Sequence, residues 1–131
     1  MTFVDTSVWV DAFRGRNAAL SERLRALLDA REVALAAPVR VELLSGASRR
    51  SLATLRRVLS ALPVYYPTET TWALLEVWVD RAVGAGQRFG VGDLLIGAIA
   101  AENGGAVWSF DADFARLARL GLVRTHRARG D

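Results

Sequence analysis

At 131 residues, 52% hydrophobic and 24% charged, the chain has the size and composition of one globular domain. It contains no cysteine, which excludes disulfides, zinc–thiolate sites and a cysteine nucleophile. The net charge is +3, and all 17 Lys-or-Arg positions are arginine, whose planar fork grips phosphate at two points and so suits a nucleic-acid partner.

Short β-rich runs alternate with longer helical patterns. Thr2-Phe3-Val4 reads as a first strand that hands over to a helix at Asp5. Leu20, Leu24, Leu27 and Leu28 recur at helical spacing. Val33–Ala36 reads as a second strand, and Pro38 suits the first turn of the helix that carries Glu42 and Leu43. Leu52, Leu55, Leu59 and Leu62 mark another amphipathic helix closed by Pro63, before a third strand at Val64-Tyr65-Tyr66. Thr68 is placed to cap the next helix, whose buried face is expected at Trp72, Leu75, Val79 and Val83.

Residues 84–92 hold four glycines and read as a flexible loop. Asp93–Ala101 is a helix apolar on nearly all sides, hence central. Ala106–Ser109 is the fourth strand, Phe114, Leu117 and Ala118 begin a short last helix, and Leu122-Val123-Arg124 is an edge strand. Strands separated by helices imply α/β architecture with a parallel sheet covered on both faces. One domain spanning residues 1–131 is expected, with a basic, mobile tail at 125–131 that includes the single histidine, His126.

No leader is expected, because Asp5 and Asp11 interrupt any apolar N-terminal segment. The longest nearly apolar run, Leu94–Ala101, falls well short of the roughly 20 residues that cross a bilayer. The expectation is therefore a cytoplasmic protein with no membrane partner.

The chemistry-bearing residues are acids. Asp5, Asp93 and Asp111 each stand near a strand-to-helix junction, and in an open parallel sheet sites form beyond the carboxyl ends of the strands. Taken singly, each reads as a helix N-cap. Asp113 reads more as a first-turn residue favoured by the helix dipole than as a ligand. Glu42, between Val41 and Leu43, is either an exposed helix position or a buried acid in need of a partner. Taken together, carboxylates about 4 Å apart repel by roughly 4 kcal/mol at an effective dielectric near 20, so a cluster must protonate or recruit a cation. An all-oxygen donor set points to Mg²⁺ or Mn²⁺.

These residues carry a resemblance. Phe3-Val4-Asp5-Thr6-Ser7-Val8-Trp9, Glu42 followed by Gly46, Asp93-Leu94-Leu95-Ile96, and Ser109-Phe110-Asp111-Ala112-Asp113-Phe114 occur in the order seen in PIN-domain nucleases, and the chain is most similar to the VapC-type toxins of bacterial toxin–antitoxin pairs. The resemblance implies a three-layer α/β/α fold with a five-stranded parallel sheet, and a Mg²⁺-dependent endoribonuclease restrained by a cognate antitoxin. It matches Asp5, Glu42, Asp93 and Asp111 to the acidic quartet. Asp5, Asp93 and Asp111 would hold the main ion, with Asp113, Ser109 and Thr6 supporting. A nuclease of RNA processing or DNA cleavage, and a non-catalytic domain of the same fold, are the alternatives.

Arg14, Arg16, Arg40 and Arg88 are candidate substrate contacts by nearness to the acids or the glycine loop, and each also reads as a solvated arginine. Trp9, Phe13, Trp72 and Trp78 are expected mostly in the core. Any that are exposed would offer a groove for an antitoxin helix or a homodimer face, and the resemblance favours both partners.

Overall fold

The computed structural model describes residues 1–126. Their order is β1 (Thr2–Val4), α1 (Thr6–Arg14), α2 (Ala18–Asp29), β2 (Val33–Ala36), α3 (Ala37–Gly46), α4 (Leu52–Ser60), β3 (Val64–Tyr65), α5 (Glu69–Gly84), α6 (Val91–Glu102), β4 (Ala106–Trp108), α7 (Ala112–Arg119) and β5 (Arg124–Thr125). The five strands form one parallel sheet in the order β3-β2-β1-β4-β5. Helices α1–α4 pack on one another and α5–α7 do likewise, and the usual right-handed crossover places the two groups on opposite faces of the sheet, giving three α/β/α layers.

Local chemistry sets the helix boundaries. The Asn17 side chain accepts from the Leu20 N–H at 3.1 Å and starts α2, and Gly15, at φ +66°, ends α1 in the left-handed conformation that glycine adopts without strain. Pro38 sits in the first turn of α3, where its missing N–H has no partner to lose. Thr68 and Thr71 cap each other reciprocally at the start of α5.

The central strands are buried on both faces, and Phe3, Val4, Leu35, Ala36 and Val107 join Trp9, Leu59, Ile96, Ile99, Phe114 and Leu117 in one core. Gly97 lets α6 lie close to its neighbours: a Cβ there would stand 3.0 Å from Val123 and 3.3 Å from the Trp78 ring.

Three expectations are corrected. The buried face of α5 is Thr71, Leu75, Trp78 and Ala82, while Trp72, Val79 and Val83 are exposed. Trp78 packs over Gly97 of α6, and the second apolar stripe, with Trp72, faces out. The glycine-rich loop is tied down, because Arg116 donates from Nε to the Gln87 side chain at 3.1 Å and from Nη2 to the Arg88 carbonyl at 3.3 Å, with its guanidinium 4.4 Å over the Phe89 ring. Residues 124–126, read as part of the tail, are held by the sheet: Arg124 and Thr125 pair with β4, the His126 N–H donates to the Val107 carbonyl at 2.8 Å, and its ring packs against Trp108. Residues 127–131, including Arg127 and Arg129, lie outside the described residues.

Candidate active site

β1 and β4 are neighbours, with Val4 opposite Trp108, but their connections leave toward opposite edges of the sheet. Loops diverge at such a switch point and open a crevice at the carboxyl ends of the strands. Asp5 follows β1 directly, and its N–H donates to the Trp108 carbonyl at 2.9 Å. Ser109, Phe110 and Asp111 leave β4 alongside it.

Asp5 occupies the N-cap position of α1, yet its carboxylate bonds none of that helix's backbone N–H groups. Its Oδ2 accepts instead from the Ser109 hydroxyl at 2.7 Å and the Ser7 hydroxyl at 3.0 Å. The same two serines brace the opposite loop: the Phe110 N–H donates to Ser7 Oγ at 3.0 Å and the Asp111 N–H to Ser109 Oγ at 2.9 Å. Two hydroxyls thus stitch the end of β1 to the turn after β4. Asp5 is 7% exposed, and one of its oxygens is committed to this knot.

Asp111 is a true cap, accepting from the Asp113 N–H at 2.9 Å through Oδ1. Asp93 is the third residue of α6, after an N-cap at Gly90, and so projects from the first turn. Asp93, Asp111 and Asp113 offer carboxylate oxygens that all lie within 4.8 Å of one another. Asp113 is both a first-turn residue and a member of this tight group. Burial first, then a hydrogen bond with Asp113 and the negative charges of Asp111, Asp113 and Asp5, push the Asp93 carboxyl up to about 7. Asp113 is held below the usual carboxylate range by that hydrogen bond and by Arg116, whose Nη1 donates to Asp113 Oδ1 at 2.8 Å.

The donor set fits a divalent cation. It is all carboxylate oxygen, and a proton held on Asp93 up to neutral pH is the substitute such a cluster adopts when no cation compensates it.

Glu42 stands apart from the tight group and is exposed rather than buried, like its neighbour Val41, because Val39 and Leu43 supply the buried face of α3. Its Oε2 accepts from the Thr6 hydroxyl at 2.7 Å, which ties α3 to the residue next to Asp5. Glu42 also rims an apolar groove of about 500 Å³ between α1, α3 and α4, lined by Val10, Phe13, Leu43, Leu55 and Val58.

Of the four arginines singled out in the sequence, Arg14 lies at that groove and pairs with Asp11 at 3.6 Å. Arg16 is exposed beyond α1, and Arg88 lies in the tied loop. Arg40 is two residues before Glu42, about 200° round the helix, and faces a different cavity.

Sequence reasoning missed Ser7 and Arg116. Each had a signal: a hydroxyl two residues after Asp5, and a cation three residues after Asp113 on one helix face.

The PIN-domain family profile matches residues 2–120, which takes in every acid of the site. The chain belongs to the PIN-domain family. It is 32% identical over 125 residues to VapC ribonuclease Mb1587 of Mycobacterium bovis, covering 92% of this chain and 93% of that protein. Ribonuclease VapC11 of Mycobacterium tuberculosis is similar to the same extent, 32% over 125 residues with the same coverage. Among solved PIN-fold structures, DNA-bound VapBC from Salmonella typhimurium superposes with a TM-score of 0.79 at 18% identity, over 95% of this chain and 96% of that one. Among the described residues, no helix of this PIN domain is long and apolar enough to cross a membrane.

Proposed function

We propose that this protein is a VapC-type toxin, an endoribonuclease that hydrolyses RNA phosphodiester bonds at a Mg²⁺ centre and is held in check by an antitoxin. The observation that carries the reading is the group of Asp93, Asp111 and Asp113 within 4.8 Å at the switch-point crevice, with Asp5 braced beside it. The naming of its relatives as VapC ribonucleases supports the substrate, and the VapBC structures from Salmonella typhimurium and Haemophilus influenzae that share its fold support the partner. A cytoplasmic location agrees with both.

Asp5, Asp93 and Asp111 are the residues proposed to hold the ion, with Asp113 completing the cluster and Mn²⁺ an acceptable substitute. When bound, Mg²⁺ lowers the pKa of a coordinated water and offsets charge developing on the phosphoryl oxygens. The chain's own residues prepare that chemistry. Ser7 and Ser109 fix Asp5, Asp111 is locked by its cap, and Arg116 orients Asp113. Thr6 holds the Glu42 carboxylate on the groove side, where it is suited to orient the attacking water.

The apolar groove beside Glu42 suits the nonpolar face of an antitoxin helix, with Phe13, 53% exposed, as its main contact. The second apolar stripe of α5, with Trp72 48% exposed alongside Val79 and Val83, is the face assigned to a second copy of the chain. Sedimentation of the purified protein should give a dimer, and a monomer at high concentration would remove that assignment.

Incubation with total RNA and Mg²⁺ should give discrete fragments, and chelation by EDTA should abolish them. Expression alone should arrest growth, with rescue by the product of an adjacent gene. Cleavage of single-stranded DNA in preference to RNA, or cleavage unaffected by EDTA, would overturn the reading.

A further inference from the structure

A second charged feature lies outside the acidic centre. Arg40 of α3 and Arg49, Arg56 and Arg57 of and before α4 line one open cavity of about 650 Å³, floored by Leu52 and Ala53. No carboxylate lines it. Among the described residues, no ion pair or side-chain hydrogen bond engages any of the four guanidinium groups. Elsewhere in the fold arginine is put to use: Arg14 pairs with Asp11, and Arg116 holds Asp113 and the loop before α6.

The position of the cavity ties it to the site. α4 separates two surfaces: Ser51, Thr54, Leu55 and Val58 face the apolar groove, while Arg49, Arg56 and Arg57 face the basic cavity. Arg40 and Glu42 lie two residues apart on α3, on opposite sides of a helix roughly 10 Å across. Glu42 is bonded to Thr6, the residue after Asp5, so a polyanion that runs from the acidic centre past Glu42 has one helix, α3, to cross before it meets four unpaired cations. Arginine forks grip nonbridging phosphate oxygens at two points, without regard to base.

We infer that Arg40, Arg49, Arg56 and Arg57 form a cradle for the phosphate backbone of the RNA substrate, outside the cleavage centre. This rests on the RNase reading of the acidic site. The cradle supplies affinity and register, and the acids supply the chemistry.

The test uses the full-length chain and labelled single-stranded RNA in EDTA, so that binding is read without cleavage. Arg49→Gln/Arg56→Gln/Arg57→Gln is compared with Arg25→Gln/Arg81→Gln/Arg119→Gln, which makes the same change in net charge at exposed positions elsewhere. Melting curves verify that both variants fold. Loss of three phosphate contacts at about 0.7 each should lower the slope of log affinity against log salt by roughly 2, and weaken binding roughly tenfold or more, in the cradle variant alone. Equal behaviour of the two triple variants overturns the cradle. So does a labelled polyglutamate that binds wild type as tightly as the RNA and is lost in the cradle variant, since that assigns the surface to an acidic protein segment. Cleavage by wild type with Mg²⁺ is scored separately. A wild type that cuts RNA while the cradle variant binds normally refutes the cradle alone. A wild type that binds through the cradle but cuts no RNA refutes the RNase reading alone.

Discussion

Asp93→Asn should lower the rate of RNA cleavage by on the order of 10³. The substitution removes one unit of negative charge from a ligand group whose members lie within 4.8 Å. At about 4 Å and an effective dielectric near 20, one such charge is worth roughly 4 kcal/mol against a cation, and each 1.36 kcal/mol is about tenfold in rate. The same substitution has a second signature in metal-free protein. The Asp93 carboxyl titrates near 7 in the fold, against 3.8 for the free side chain. Between those values the folded chain keeps a proton that the unfolded chain has released, so stability falls as pH rises through that window and levels off above it. Asp93 is partly exposed, so after allowance for solvent screening the loss is about 1–2 kcal/mol, or roughly 5 °C in Tm. Melts in EDTA at pH 5 and pH 8 should show wild type losing about that much more than Asp93→Asn. Equal pH dependence of the two proteins, or full activity of the variant, would sink the assignment of Asp93.

Arg116→Ala should raise the Mg²⁺ concentration needed for half-maximal cleavage by about 10- to 100-fold, the usual cost of losing a group that orients a metal ligand. The rate at saturating metal should change much less, because Arg116 acts through Asp113 and has no part in the reaction itself. Its fork spans Asp113, Gln87 and the Arg88 carbonyl, so one side chain fixes both a carboxylate of the cluster and the loop that leads into α6 and Asp93. Lysine carries the charge without the fork, and Arg116→Lys should rescue metal affinity only in part. A metal titration that is unchanged in Arg116→Ala would show that Asp113 needs no such orientation.

The parts of the molecule legible in the sequence were those written in local patterns. The strands before Asp5 and Asp111 could be read from short apolar runs, and Pro38 and Thr68 mark helix starts by chemistry that acts within one turn. The parts that were not legible depend on which of two local solutions the tertiary packing selects. α5 carries two apolar stripes, and only the space left by α6 and Gly97 decides that Trp78 goes in and Trp72 stays out. Glu42 sits in an apolar run, but its direction is set by the burial of Val39, three residues before it, and Leu43, one residue after. The glycines at 84–92 signal backbone freedom, and the restraint on them comes from Arg116, more than 20 residues away along the chain. Asp113 carried a sound local explanation as a first-turn acid, and that explanation concealed its nearness to Asp93.

The serine knot has a consequence for when this protein can act at all. Asp5 and Ser109 are joined across 104 positions of sequence. A chain that has emerged only as far as Gly105 possesses Asp5, Glu42 and Asp93, but lacks Ser109, Asp111 and Asp113. Its β1 has no β4 to pair with, and the crevice between them has not been made. On the RNase reading, a product truncated or stalled before β4 should leave the cell's RNA untouched, and activity should arrive only with the last βα unit.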